Sequence, residues 1–198
     1  MYLYNVIKTI IGTLFRLFYR IEVHGKENIL KEGRVILCSN HISNLDPIVL
    51  SIVFPRQISW MAKKQLFNNK ILSFFLTKIG TFPVDREESD LSAIKNSLKV
   101  LKKDGVLGIF PEGTRVKEIN MENAKPGIAL ISIKSQSPVL PVYIEGKSRP
   151  FSKIKVYFGK PIDFSNSYDK KLTKEDYHLF GKEILRSIYS IKDKEVKI

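Results

Sequence analysis

Apolar residues recur at helical spacing over the first stretch of the chain. Between Leu3 and Ile21 they fall three or four positions apart, which predicts a helix with one broad apolar stripe. The charged side chains on the opposite face are all positive. Lys8 and Arg16 leave seven residues between them, whereas a helix that spans a bilayer needs about 20 mostly apolar residues. The pattern therefore predicts an amphipathic helix that does not cross a membrane.

This N-terminal pattern is typical of segments that lie in the membrane interface. The alternative is that the stripe covers the core of the protein itself. We favour the interface because the stripe is broad and every charge opposite it is positive. We predict a membrane-docking segment over residues 1–24 and one folded domain over residues 25–198. A second apolar stretch, 71–82, is too short to span a bilayer, and we expect a core helix there rather than a second membrane contact.

The rest of the chain alternates short apolar runs with helical patterns. Strands are predicted at residues 34–40, 57–63, 81–86, 106–110, 138–146 and 153–162. Helices are predicted to begin near Asp46, Asp90, Pro126 and Thr173. This alternation predicts an α/β fold whose mainly parallel central sheet is flanked by helices. In such sheets, functional groups gather in loops at the carboxyl ends of the strands.

The chain has a large positive charge. Its 198 residues include 33 Lys and Arg against 20 Asp and Glu, a net charge of +13. This excess favours an anionic partner, which can be nucleic acid, an acidic membrane surface or a phosphorylated substrate. We expect no nucleic-acid partner, because no recognition motif accompanies the charge. The stretch "IEGKS", residues 144–148, resembles the end of a phosphate-binding P-loop, but Pro141 stands where the first glycine of that motif is required, so a P-loop is excluded. The single cysteine, Cys38, excludes a disulfide framework and a cysteine-rich zinc site.

The stretch "NHISNLDP", residues 40–47, places a histidine and an aspartate at the end of a predicted strand. The Asp46 carboxylate can orient the His41 ring and stabilise its charged form, which leaves the other ring nitrogen as a base. The alternative is structural, with Asp46 as the N-cap of the next helix and His41 as a buried structural histidine. His178 and Glu183 have the same spacing but lie about 140° apart around a predicted helix, so we assign them no role.

The chain lacks the usual nucleophiles that a histidine base activates. No G-x-S-x-G elbow is present, and Cys38 ends an apolar strand, where a small core residue is expected. His41 is therefore expected to deprotonate a hydroxyl of a bound substrate directly.

A second polar motif, "FPEGTR" at residues 110–115, follows another predicted strand. Its glycine permits a tight turn with exposed amides, and Thr114 and Arg115 add donors suited to phosphate oxygens. Arg86, which closes the stretch "FPVDR", supplies a second guanidinium, and Lys125 in "AKPG" supplies a third cation. Taken one at a time, such residues are solvated surface charges, but together they predict a shared phosphate site.

These motifs resemble the blocks of the lysophospholipid acyltransferase family, and in particular its 1-acyl-glycerol-3-phosphate acyltransferases. The family block N-H-x-S-x-x-D is matched at residues 40–46, and F-P-E-G-T-R is matched in full at residues 110–115. Two looser blocks resemble "GTFPVDR", which ends in Arg86, and "PVLPVYI", which is centred on Pro141. The blocks come in the family's order and span more than half of the chain.

The resemblance implies acyl transfer from a thioester, either acyl-CoA or acyl carrier protein, to the sn-2 hydroxyl of 1-acyl-glycerol-3-phosphate. His41 is then the catalytic base, and Asp46 orients it. Glu112 is expected to orient either the glycerol or the loop itself. The predicted substrate-binding residues are Arg86, Glu112, Gly113, Thr114, Arg115 and Lys125.

The resemblance also implies where the protein works and what it needs. No metal or cofactor is expected beyond the acyl thioester as co-substrate. The expected location is the cytoplasmic face of the cell membrane, as a peripheral or monotopic protein on an anionic surface. The alternatives are an acyltransferase for another lysolipid or for glycerol-3-phosphate, and a non-catalytic basic module that binds anionic lipid.

Overall fold

The computed structural model describes residues 2–85, 90–116, 118–146 and 149–195, with the side chains of 2, 3 and 193–195 excepted. Over these residues the chain forms one seven-stranded sheet in the order β1–β7–β6–β2–β5–β3–β4. The strands are β1 (Arg20–His24), β2 (Val35–Ser39), β3 (Ile58–Lys63), β4 (Phe82–Val84), β5 (Val106–Ile109), β6 (Val139–Gly146) and β7 (Lys153–Phe158).

Neighbouring strands run parallel except β6 and β7, which are antiparallel. The helices are α1 (Tyr2–Phe18), α2 (Asp46–Val53), α3 (Lys70–Lys78), α4 (Leu91–Lys102), α5 (Gly127–Ser135) and α6 (Lys174–Glu195). The mainly parallel sheet flanked by helices confirms the predicted fold class.

The helices cover both faces of the sheet. The connections from β2 to β3 and from β3 to β4 move in one direction across the sheet, so right-handed crossovers place α2 and α3 on the same face. The connections through α4 and α5 move back and place these helices on the other face. Helix α1 packs on α2, and α6 packs on α5 and β6. Each face buries its own apolar cluster.

Strand β2 lies in the middle of this sheet, and all its residues are buried. Its side chains alternate between the two faces, with Ile36 and Cys38 in the cluster under α4–α6 and Leu37 in the cluster under α2. Cys38 pairs with Ile109 of β5, and Ser39 pairs with Val142 of β6. The loop that leaves β2 therefore emerges between the ends of two neighbouring strands.

The N-terminal helix is shorter than its apolar pattern predicts. It ends at Phe18, and Arg20–His24 forms the edge strand β1 beside β7. In this strand Ile21 and Val23 alternate with polar residues and pack against the buried cluster on the α2 face. Ile21 thus belongs to the sheet, and β1 lies inside the range that we predicted as the docking segment.

The prediction of a core helix at 71–82 is wrong. Helix α3 spans Lys70–Lys78, and none of its residues is buried. The local sequence determines where this helix begins, because the Asn69 side chain caps it by accepting hydrogen bonds from the first free amides of the helix. It connects β3 to β4, which is three residues long and lies at the edge of the sheet. Little sheet therefore lies beneath α3, and its apolar side chains stay at the surface.

Candidate active site

His41 and Asp46 meet in the loop between β2 and α2. The Asp46 Oδ2 atom lies 2.8 Å from His41 Nδ1, and both residues are buried. The same oxygen accepts the backbone amides of Ile42 at 2.8 Å and Ser43 at 2.7 Å. Because three donors converge on one carboxylate oxygen, the His41 ring is fixed with Nδ1 as its bonded nitrogen. The other nitrogen, Nε2, is then the one available to take a proton.

Asp46 does not cap helix α2 in the way that the sequence predicts. It is the first residue of that helix, and Leu45 is its N-cap. The Asp46 amide itself closes a turn onto the carbonyl of Ser43 at 3.2 Å. The carboxylate points back toward the amides that precede the helix, and one oxygen makes all the bonds that orient the histidine. The loop therefore folds around the carboxylate, and Pro47 occupies the second position of the helix, where its missing N–H costs no hydrogen bond.

The His41 ring rests on a stack of aromatic rings. Its centroid lies 4.0 Å from that of Phe110, at an interplanar angle of 16°. Phe110 in turn stacks on Trp60 at 5.2 Å. The indole lies flat over Gly108 of β5, where an added Cβ would come within 2.4 Å of the ring. Glycine at this position therefore lets the stack form, and the stack fixes one face of the imidazole.

The backbone of His41 is also tied to the loop that follows β5. Its amide donates to Glu112 Oε2 at 3.4 Å, and its carbonyl accepts the amide of Val116 at 3.1 Å. Just before it, the Asn40 side chain bonds both the amide and the carbonyl of Ile144 in β6, at 2.7 and 2.9 Å. The histidine loop is thus held between the loop that follows β5 and strand β6, and small shifts of His41 are opposed by bonds on each side.

Glu112 is buried behind His41, with 2% of its surface exposed. Its second carboxylate oxygen, Oε1, accepts the hydroxyl of Tyr189 in α6 at 2.7 Å. Burial raises the pKa of the Glu112 carboxyl, although the bonds from Tyr189 and His41 oppose that rise. Burial also raises the pKa of Tyr189, and the nearby Glu112 adds to the effect. The carboxylate therefore bridges α6 to the backbone of the histidine.

The remaining residues of "FPEGTR" form a turn at the surface. The Gly113 amide donates to the carbonyl of Phe110 at 3.0 Å, and Gly113 has φ +69°, a conformation that favours glycine. An added Cβ on Gly113 would lie 3.5 Å from Lys125 Cε, so the lysine side chain runs along this turn. Thr114, Arg115 and Lys125 are all exposed. The turn and Lys125 are therefore in contact, and the Val116 amide that follows the turn is bonded to the His41 carbonyl.

Arg86 lies outside the described residues, and nothing is concluded about its position. Cys38 is fully buried in the cluster under α4–α6, and burial raises the pKa of its thiol well above the usual range. This environment opposes formation of a thiolate nucleophile. Across the described ranges, no group of three or more His, Cys, Asp and Glu side chains is arranged to hold a metal ion.

Sequence reasoning missed the supports around the histidine. Tyr189 lies 77 positions from Glu112 along the chain, and no local pattern links the two residues. Trp60 belongs to a predicted strand, but its contact with Phe110 depends on how β3 and β5 pair. The sequence does single out Asn40, because it stands next to His41 at a strand end. Its partner in β6, however, can be identified only from the order of the strands in the sheet.

Comparison with known proteins places these motifs in one family. The family model described as "Acyltransferase" matches residues 20–145, which include His41, Asp46 and the whole "FPEGTR" turn. A protein of Bacillus subtilis named 1-acyl-sn-glycerol-3-phosphate acyltransferase is 36% identical over 160 residues, covering 76% of this chain and 79% of that protein.

Two further comparisons agree with the first. A Streptococcus pneumoniae protein of the same name is 34% identical over 84% of this chain and 63% of its own length. A crystal structure titled as the 1-acyl-sn-glycerophosphate (LPA) acyltransferase PlsC of Thermotoga maritima superposes with a TM-score of 0.73 at 24% identity. It covers 96% of this chain and 80% of that one, so the fold is shared almost throughout.

Proposed function

The chain belongs to the acyltransferase family, and from that premise we propose that it moves a fatty acyl group from a thioester to the sn-2 hydroxyl of 1-acyl-glycerol-3-phosphate. The product would be phosphatidic acid, a precursor of membrane phospholipids. The observation that best supports the proposal is the His41–Asp46 pair at 2.8 Å, set beside a turn with exposed cations.

His41 Nε2 takes the proton of the acceptor hydroxyl, while Asp46 holds Nδ1 and stabilises the imidazolium that forms. The oxygen attacks the thioester carbonyl, a C–O bond forms, and the C–S bond breaks. The imidazolium then returns its proton to the departing thiolate, so the thiol leaves neutral. This direct transfer needs no covalent enzyme intermediate, in keeping with the burial of Cys38.

The acceptor's phosphate would bind to Arg115, Lys125, Thr114 and the amides around Gly113, with Arg86 as a further ligand. Guanidinium and ammonium groups at a turn with exposed amides match the oxygens of a phosphate monoester. The donor is either acyl-CoA or acyl carrier protein, both of which are anionic and suit the net charge of +13. The thioester serves as co-substrate, and the proposed reaction uses no metal.

The proposed site of action is the cytoplasmic face of the cell membrane, where the acceptor lipid resides. No helix in the described part of the chain is both long and apolar enough to cross a bilayer. Helix α1 instead exposes a row of apolar side chains at helical spacing, namely Val6, Ile10, Leu14, Leu17 and Phe18. We propose that this row lies in the interface of an anionic membrane.

Release of free thiol from acyl-CoA tests the function. Purified protein with 1-acyl-glycerol-3-phosphate should release thiol at a rate that depends on the acceptor, and phosphatidic acid should form in equal amount. Equal thiol release with and without acceptor would mean thioester hydrolysis and would contradict the proposal. A panel with lysophosphatidylcholine, lysophosphatidylglycerol and glycerol-3-phosphate, each with acyl-CoA and acyl carrier protein, would identify the acceptor and the donor.

Loss of a phosphate ligand should weaken acceptor binding more than it slows the chemical step. We expect Arg115→Ala and Lys125→Ala each to raise KM for the acceptor about tenfold or more, because each removes a charged hydrogen bond to phosphate. Lys134→Ala, an exposed lysine in the last turn of α5, is the matched control and should leave KM unchanged. An unchanged KM in both site variants would place the phosphate elsewhere.

Loss of the hydrogen bonds that link Tyr189 to His41 through Glu112 should lower kcat. We expect Tyr189→Phe and Glu112→Gln each to lower kcat about tenfold with little change in the acceptor KM, because each loosens the support of the His41 amide. Tyr168→Phe is the matched control, since its hydroxyl also bonds a carboxylate, that of Asp163, at 2.7 Å. A rise in acceptor KM for Glu112→Gln would instead favour direct contact between Glu112 and the glycerol.

Stability helps to interpret the Glu112→Gln variant. Since folding raises the pKa of Glu112, its contribution to stability is full below the unfolded pKa and is lost as the pH rises through the folded pKa. At neutral pH the raised pKa of Glu112 therefore does not stabilise the folded protein. We expect the Gln variant to melt near the wild-type temperature at neutral pH, so that a fall in kcat reports positioning of His41.

A further inference from the structure

Helix α3 presents an apolar surface to solvent. Ile71, Leu72, Phe74 and Phe75 expose 72%, 40%, 57% and 49% of their surfaces. Ile71, Phe74 and Phe75 are three and four positions apart, so they share one stripe of the helix. Large apolar side chains grouped in this way mark a surface that meets another apolar phase.

The segment of the chain that carries this stripe is basic. From residue 47 to residue 84 the sequence contains five basic residues and no acidic one. Lys70 and Lys78 stand at the two ends of α3, and the ammonium of Lys78 lies 5.5 Å from the centre of the Phe74 ring. An apolar stripe bordered by lysines suits a surface whose interior is apolar and whose headgroups are anionic.

The position of α3 fits docking together with α1. Right-handed crossovers place α3 on the same face of the sheet as α2, and α1 packs on α2. The N-terminus of α3 follows the carboxyl end of β3, which is the edge of the sheet where the histidine loop emerges from β2. Contact of both helices with one surface would bring this edge close to the lipid headgroups.

We propose that α3 is a second membrane-docking element, which inserts its apolar stripe into an anionic bilayer while Lys70 and Lys78 contact the headgroups. The proposal extends the proposed membrane action of the enzyme, and it rests on that function. A protein partner is less suitable, because a stable protein interface buries about 800 Å² on each side, from roughly 20–30 residues. Helix α3 is nine residues long.

Vesicle flotation tests the proposal with the full chain and vesicles of phosphatidylglycerol and phosphatidylcholine. The double variant Phe74→Ser with Phe75→Ser should bind these vesicles about tenfold or more weakly, because two large apolar groups no longer enter the bilayer. The matched control is Leu91→Ser with Leu179→Ser, which removes exposed leucines from α4 and α6 on the other face. This control should bind like the wild type.

A second pair of measurements separates this proposal from its rivals. Lys70→Ala with Lys78→Ala should reduce binding to phosphatidylglycerol vesicles and leave binding to pure phosphatidylcholine vesicles unchanged. Wild-type vesicle affinity in the phenylalanine variant would overturn the proposal. A wild-type dimer that the same substitutions convert to a monomer in light scattering would also overturn it, since the stripe would then meet a second copy of the chain.

Catalysis on a soluble substrate separates failure of the docking element from failure of the enzyme. With a short-chain, monomeric 1-acyl-glycerol-3-phosphate and no vesicles, the phenylalanine variant should release thiol at the wild-type rate and melt at the wild-type temperature. Loss of vesicle binding with this activity intact supports the proposal. Loss of soluble activity in the variant would contradict it, because α3 would then serve the site itself.

Discussion

Replacing His41 with alanine is expected to lower kcat for acyl transfer by about 10²–10⁴-fold, because positioned general-base catalysis contributes a factor of that size. The side chain is the available base beside the cationic turn, with Nδ1 held by Asp46. The fold should survive, since β2 is held by its pairing with β5 and β6 and not by the histidine ring. Acceptor-dependent thiol release measures the effect.

The chain offers its own control for this experiment. His178 has an acidic residue at the same spacing, but it lies on α6 and pairs with Glu122 at 3.6 Å. His178→Ala should therefore keep wild-type activity. Trp60 is the protein's single tryptophan and stacks on Phe110, which in turn stacks on His41, so its fluorescence reports whether the site stays packed. A folded His41→Ala protein with undiminished thiol release would contradict the mechanism.

The sequence predicted those parts of the site that depend on neighbouring residues. His41 and Asp46 are five positions apart, and a single loop brings them into contact. Gly113 occupies the turn with positive φ that its motif predicts. The strands before both loops were recognisable from their apolar runs, so the position of both loops at one edge of the sheet followed from the α/β pattern.

The parts that could not be predicted depend on distant pairings. The bond from Tyr189 to Glu112 requires α6 to pack behind the site, and no sequence pattern states that packing. The sequence predicts helix at the start of β1, because Ile21 fits a helical spacing as well as an alternating one. Pairing with strand β7 decides between the two. The exposure of α3 depends on how short β4 is, which hydrophobicity alone does not indicate.

Asp46→Asn should separate the orientation of the histidine from its charge. An asparagine oxygen can still accept the amides of Ile42 and Ser43, so the loop should keep its shape. The neutral amide no longer stabilises the imidazolium, and kcat should fall by about 10²–10⁴-fold, as for other histidine bases that lose their carboxylate. The melting temperature should stay close to that of the wild type.

Asp46→Ala should add a loss of stability to the loss of activity. The partly buried amides of Ile42 and Ser43 would lose their acceptor, and each loss should cost less than the roughly 1–3 kcal/mol of a fully buried unsatisfied group. Asp176→Asn is the control, because its carboxylate also accepts local bonds, from Thr173 at the start of α6, and should affect neither quantity. Equal melting temperatures for the Ala and Asn variants would show that the carboxylate does not hold the loop. Wild-type kcat in Asp46→Asn would show that its charge is not needed, because the chemical step would then proceed without a stabilised imidazolium.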